Sequence, residues 1–171
     1  MYVLGVDPGL TGAFVLLAPG MTIHHAMSTP RSEDYKGGLD IGVTSELFKA
    51  FAEYHPICVL ENVGGRPRQS APAAFNFGHL CGSLYALAIV HFKEVKLVTP
   101  QKWKGEMDVR GKRGSAKEGG SEGSDAAIVS EADFRFPNYM HLWRGPKGGL
   151  KVDVAEAALI ALWGMKSYNG G

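Results

Sequence analysis

Four acidic residues stand where a fold could bring their side chains together. The apolar run YVLGV ends at Asp7, and the apolar run ICVL ends at Glu61. Asp153 and Glu156 are three residues apart near the start of the last predicted helix, a spacing that places both on one helix face. If the two apolar runs are neighbouring strands, the four carboxylates converge, and like charges packed together need a counter-charge. Oxygen-only ligands suit Mg²⁺ or Mn²⁺.

Two divalent ions held by such a site can activate a water and stabilise the leaving oxygen of a phosphate ester, which demands few protein bases. Asp7 would be the bridging ligand.

Each acid alone also has an ordinary explanation. Asp-Pro-Gly is a common turn, Glu61 can end a solvated strand, and acids in the first turn of a helix favour its dipole. Only the joint pattern indicates a metal site.

The elements that would position these acids alternate between strands and helices. Apolar periodicity predicts strands at 2–6, 12–18, 21–27, 57–60 and 95–100, and helices at 40–54, 73–92, about 124–135 and 152–165. Three strands in quick succession favour an antiparallel meander, and the later strands alternate with helices. We therefore expect one α/β domain over 1–171, a mixed sheet with helices on both faces. A Gly/Lys-rich flexible loop is predicted at about 105–123, and a further loop at 138–150.

Composition is that of a soluble globular protein, with 45% hydrophobic and 20% charged residues and a net charge of +1. An anionic partner must then be met by a local basic patch. The cysteines, Cys58 and Cys81, are expected to be free thiols. No signal peptide is evident, and no apolar stretch approaches the ~20 residues of a membrane span. We expect a cytoplasmic protein that does not contact a membrane.

The segments GVDPGLTG, VLENV, FNFGHLCGSL, VTPQKWK and DVAEAALIALWG, in this order, resemble the RuvC-like Holliday junction resolvases, especially the short phage-type members. The resemblance implies an RNase H-like fold and a two-metal nuclease that cuts DNA at branched structures. It also implies a homodimer, formed in that family through the helix at 73–92. Asp7, Glu61 and Asp153 match the family's acidic positions. Glu156 stands where the family usually has Asp.

Basic residues cluster near two of these motifs and predict contacts with DNA phosphates. The first group follows Glu61 and comprises Arg66 and Arg68. The second comprises Lys102, Lys104, Arg110, Lys112, Arg113 and Lys117. The resemblance matches Lys104, and loosely Lys117, to basic family positions. A solvated loop that only keeps the chain soluble is the alternative explanation of the second group. Trp103, Trp143 and Trp163 are expected to be core or loop anchors rather than base-stacking platforms. Among these three, only Trp103, which stands between two lysines, could touch DNA.

One departure leaves the substrate open. In several relatives of the resembled family, the loop after the glutamate strand carries an aromatic residue that wedges into the junction, whereas this sequence has Gly64 and Gly65 there. An exonuclease or flap endonuclease on the same fold is therefore a second hypothesis, and a catalytically inactive DNA-binding module a third. An actin-like ATP-binding domain shares the DPGLTG-type loop. It also needs a second phosphate loop and two domains, which this chain lacks.

Overall fold

The computed structural model describes residues 1–9, 11–34, 38–64, 69–109 and 121–169. Five strands form one sheet in the order β3-β2-β1-β4-β5. Their bounds are β1 Val3–Asp7, β2 Ala13–Ala18, β3 Thr22–Ser28, β4 Ile57–Glu61 and β5 Glu94–Val98. Strand β1 pairs antiparallel with β2 and parallel with β4, β2 pairs antiparallel with β3, and β4 pairs parallel with β5. The predicted mixed sheet is confirmed.

Helices cover both faces of this sheet. They are α1 Ile41–Ala52, α2 Ala71–His91, α3 Pro100–Glu106, α4 Ser121–Arg135 and α5 Val152–Asn169. Side chains of β1 alternate between the two faces: Val3 joins the core under α4 and α5, and Leu4 and Val6 join the core under α1 and α2. The predicted α/β fold with two helical layers is thus confirmed.

Helix α5 packs closely against β1 and β4 in the middle of the sheet, because a glycine lies at each of two contact points: Gly5 on β1 and Gly164 on α5. A Cβ atom on Gly5 would lie 2.1 Å from the carbonyl oxygen of Ala157, and one on Gly164 would lie 2.6 Å from Val59 Cγ2. Glycine at these positions lets helix and sheet backbones touch. This contact fixes the start of α5 above the carboxyl end of β1.

Helix α2 buries one face and exposes another. Its N-cap Ser70 accepts a hydrogen bond from the backbone N–H of Ala73 at 3.4 Å. The side chains of Leu80, Leu84 and Ala88 are buried in the core between the sheet and the helices α1 and α2, and Phe77 is buried beside the cleft. Among the described residues, this helix of 21 residues is the one long and apolar enough to cross a membrane, judged by length and composition alone. The sequence-based estimate of the longest apolar stretch was therefore too short. A single such helix is weak evidence, because core helices of soluble proteins pass the same test.

The larger differences from the sequence-based prediction concern α4, α5 and the segment between them, while the other bounds agree to within about two residues. Helix α4 begins at Ser121 rather than near Ser124, and α5 continues beyond 165 to Asn169. The predicted loop at 138–150 contains most of a 3₁₀ helix, Pro137–Leu142. Long-range contacts order this segment: the indole N–H of the buried Trp143 donates to Asp133 Oδ1 at 2.9 Å. Such contacts are invisible to local sequence patterns. Both cysteines are free, as predicted.

Candidate active site

Parallel pairing of β1 and β4 places Asp7 and Glu61 at the same end of adjacent strands. The register pairs Val6 with Leu60, so the two acids follow side by side at the carboxyl ends of their strands. Beyond Asp7 the chain turns sharply, with Gly9 N–H donating to Asp7 Oδ1 at 3.0 Å. This local hydrogen bond fixes one oxygen of the Asp7 carboxylate. The Asp7 side chain lines a cleft at this end of the sheet.

The first turns of α5 bring two further acids to that cleft. One carboxylate oxygen from each of Asp7, Asp153 and Glu156 lies within 4.8 Å of the other two. Asp7 is buried, and the other two are half-buried. A cluster of three carboxylates at this separation has the spacing and the hard oxygen donors that a divalent cation requires.

Glu61 lies in the same cleft but outside this three-residue group. Its side chain is buried, and its Oε1 accepts a hydrogen bond from the indole N–H of Trp103 at 2.6 Å. Trp103 itself is fully buried. The expectation that Trp103 is a core anchor is confirmed, and the alternative that it touches DNA is not: α3 packs this ring under the site, so the indole contacts a carboxylate instead of solvent.

Burial and mutual repulsion raise the pKa of Asp7 well above its usual value. Burial is the largest cause, followed by the charges of Glu156, Glu61 and Asp153, and the Gly9 N–H opposes them. Among the described residues, Asp7 Oδ2 is buried without any hydrogen-bond partner. A buried carboxylate oxygen without a hydrogen bond lowers the stability of the folded protein, and a bound cation would offset this loss. The donor set therefore fits a divalent metal ion.

Lys104 is placed inside the site, where it contacts an acid. Its Nζ donates to Glu156 Oε1 at 2.6 Å and lies 5.1 Å from the centre of the Trp103 ring. The lysine predicted to contact DNA thus pairs with a predicted metal ligand. Lys102 points elsewhere, with its Nζ 5.7 Å from the centre of the Trp163 ring. The other predicted DNA-binding residues, Arg66, Arg68, Lys112, Arg113 and Lys117, lie outside the described residues.

The acids open into a cleft of about 680 Å³. All four predicted acids and Lys104 line it, together with Gly9, Thr11, Val63, Gln69, Phe77, Pro100, Asp125, Leu150 and Val152. Sequence reasoning did not anticipate Asp125, which belongs to α4, or the role of Trp103. The VTPQKWK motif was the available signal for Trp103, but it does not reveal which way the ring points.

The sheet order, the strand directions and the two helical layers define an RNase H-like α/β fold. Solved structures that share it over nearly the whole chain include Thermus thermophilus RuvC in complex with a Holliday junction substrate and a second structure of Thermus thermophilus RuvC. Their TM-scores are 0.61 and 0.60, each at 16% sequence identity, with 99% of this chain and 97% of the other covered. No family model and no curated protein sequence matches the chain. The structural likeness establishes a RuvC-like fold.

Proposed function

We propose that this protein is a metal-dependent DNA endonuclease that cuts four-way (Holliday) junctions by two-metal phosphodiester hydrolysis. The observation that carries the proposal is the cluster of three carboxylates formed by Asp7, Asp153 and Glu156, in which Asp7 also has a buried oxygen without a hydrogen-bond partner among the described residues. Its position supports the proposal further. The cluster lies in an open cleft of a fold shared with a protein that was solved with a Holliday junction.

The proposed metal ligands are Asp7, Asp153, Glu156 and Glu61. Two ions of Mg²⁺, or of Mn²⁺, would supply an activated water and stabilisation of the leaving oxygen. Asp7 is proposed as the ligand shared between the ions, because one of its oxygens lies within 4.8 Å of Asp153 and Glu156 and its strand is the neighbour of the strand that ends at Glu61. Glu156 has a longer side chain than the aspartate of the resembled family, and it reaches the cluster nonetheless.

Lys104 would contribute the positive charge that the protein itself brings to the reaction. Without DNA its ammonium is paired with Glu156. A scissile phosphate entering the cleft offers a second anionic partner, and an ammonium on a flexible stem can exchange one for the other. Lys102 and the basic residues at 66, 68, 112, 113 and 117 are proposed to hold the DNA backbone, with salt-dependent affinity.

A homodimer through α2 is proposed because cutting both strands of a junction in a coordinated way needs two sites. The exposed face of this helix is apolar, with 69% of Phe75, 53% of Ile89 and 75% of Val90 accessible. Gly78 and Gly82 are four residues apart, and a Cβ at either would meet nothing within 4 Å. A second helix can therefore approach closely there. An apolar face of this size fits a second copy of the chain.

An exonuclease or flap endonuclease is the second candidate, favoured by the exposed Gly64 where the resembled family often places an aromatic wedge. The test compares cleavage of an end-labelled four-way junction, a flap, a linear duplex and single-stranded DNA, with Mg²⁺ and with EDTA. Paired symmetric nicks confined to the junction are expected. Progressive shortening of linear DNA would establish the second candidate. No cleavage of any substrate with Mg²⁺ or Mn²⁺ would contradict both.

A further inference from the structure

Two consecutive residues of α3 each bind a different acid of the site. Trp103 donates to Glu61 from β4, and Lys104 donates to Glu156 from α5, both at 2.6 Å. This short helix follows β5 directly and so lies next to β4, and it also packs against α5. It therefore connects the two parts of the candidate metal site that come from distant segments of the chain.

The two donors differ in what they do to the acid that they bind. The ammonium of Lys104 neutralises Glu156 and competes with a cation for it. The indole N–H of Trp103 is a neutral donor, so it orients the Glu61 carboxylate without cancelling its negative charge. A hydrogen bond of this kind fixes a ligand while leaving it available to a metal ion.

The Trp103 ring is held rigidly enough to serve this purpose. It is fully buried, its backbone N–H donates to Thr99 O at 3.2 Å, and its carbonyl accepts from Met107 N–H at 2.9 Å. At the end of α3, Glu106 Oε2 accepts from the Trp163 indole of α5 at 2.6 Å. The helix that carries the donor is thus tied to α5 at its carboxyl end.

We propose that Trp103 is a positioning residue that holds Glu61 in the orientation in which it binds a divalent cation. This inference rests on the proposed function, since it assumes that Glu61 is a metal ligand. Partners that orient a metal ligand from outside the coordination shell typically contribute 10–100-fold to metal affinity. Trp103 is given this role because its bond to Glu61 is buried and short.

The test is the affinity of the metal-free protein for Mn²⁺, measured by isothermal titration calorimetry. Trp103→Phe keeps an aromatic ring and removes the donor, and it should weaken Mn²⁺ binding by at least about tenfold. Trp143→Phe is the matched control. It also removes a buried indole donor to a carboxylate, here Asp133, which takes no part in the site. The control should leave Mn²⁺ affinity within about twofold while losing comparable thermal stability, a difference that a purely structural role of Trp103 would not produce.

A double-mutant cycle with Glu61→Gln identifies the acid through which Trp103 acts. In the Glu61→Gln background, Trp103→Phe should weaken Mn²⁺ binding by less than about threefold, since the ligand that it orients has lost its charge. Equal losses in both backgrounds would overturn the proposal. If Trp103→Phe does not fold, site-specific incorporation of benzothienylalanine at position 103 replaces the indole N–H with sulfur in a ring of nearly the same shape. The same loss is expected of it.

Different results would contradict the proposed function and the role of Trp103. Native protein that binds no Mn²⁺ would overturn the proposed function and the role of Trp103 with it. Native protein that binds Mn²⁺, together with an unchanged affinity in Trp103→Phe or in the benzothienylalanine variant, would overturn the role of Trp103 alone. Cleavage activity is not needed for either reading.

Discussion

Replacing Asp7 with Asn should stabilise the metal-free protein while abolishing metal binding and cleavage. The carboxylate is buried beside three other acids, and one of its oxygens has no hydrogen-bond partner among the described residues. Asparagine has nearly the same shape, and its Oδ1 can still accept from Gly9 N–H. Its amide N–H groups can donate to the neighbouring carboxylates. The substitution therefore replaces a repelled charge with a donor.

The sign and size of the effect follow from the raised pKa of Asp7. When the pKa of a group is higher in the folded than in the unfolded protein, its contribution to stability is fully present at pH values below the unfolded-state pKa. That contribution is lost as the pH rises through the folded-state pKa. The ordinary value is 3.8. At neutral pH the native protein therefore bears the cost of an ionised, partly unsatisfied buried group, about 2 kcal/mol. For a domain of this length, Asp7→Asn should raise Tm by about 4–8 °C.

The assay is thermal unfolding in EDTA between pH 5 and pH 8, with Glu53→Gln as a control that removes an exposed carboxylate. The advantage of Asp7→Asn should be larger at pH 8 than at pH 5, because native Asp7 is more protonated at the lower pH. Added Mg²⁺ should raise the Tm of the native protein and leave that of the variant unchanged. A Tm several degrees below the native one at pH 8, with the control unaffected, would refute this reasoning.

Three further predictions address other parts of the account. Lys104→Met should lower cleavage at least about tenfold yet leave Mn²⁺ affinity equal or higher, since the ammonium competes for Glu156; weaker Mn²⁺ binding would show that the lysine helps to build the site. Gly5→Ala should cost about 3 kcal/mol in urea unfolding, because its Cβ would lie 2.1 Å from a backbone oxygen of α5. Gly42→Ala, whose nearest contact would be an ordinary 3.6 Å, should cost less than about 1 kcal/mol. Ile89→Asp should yield monomers in sedimentation velocity without lowering Tm by more than a few degrees; an unchanged dimer would place the interface elsewhere.

The placement of the acids was accessible from the sequence because strand pairing is a strong constraint. Apolar runs that end at Asp7 and Glu61 predicted buried strands, and parallel neighbours necessarily present their carboxyl ends at one edge of the sheet. Helical spacing then predicted that Asp153 and Glu156 share a face. The three-residue cluster reflects both rules.

The roles of Lys104 and Trp103 were not accessible in the same way. Positive charge in the sequence indicates an anionic partner, and it does not distinguish a DNA phosphate from Glu156 of the same chain. Burial of Trp103 was the expectation from the sequence, but the sequence does not reveal which carboxylate its indole contacts. What decides is the docking of α3 on α5 through Glu106 and Trp163, a contact between residues 57 positions apart.

Anomalous diffraction from a crystal of the native protein soaked in Mn²⁺ tests the central claim most directly. The account predicts two peaks about 3.5–4 Å apart in the cleft, within coordination distance of Asp7, Asp153 and Glu156, with Glu61 contacting one of them. Asp7→Asn crystals soaked in the same way should show neither peak. Mn²⁺ bound only elsewhere on the native protein, with the Asp7 cluster bare, would contradict the account.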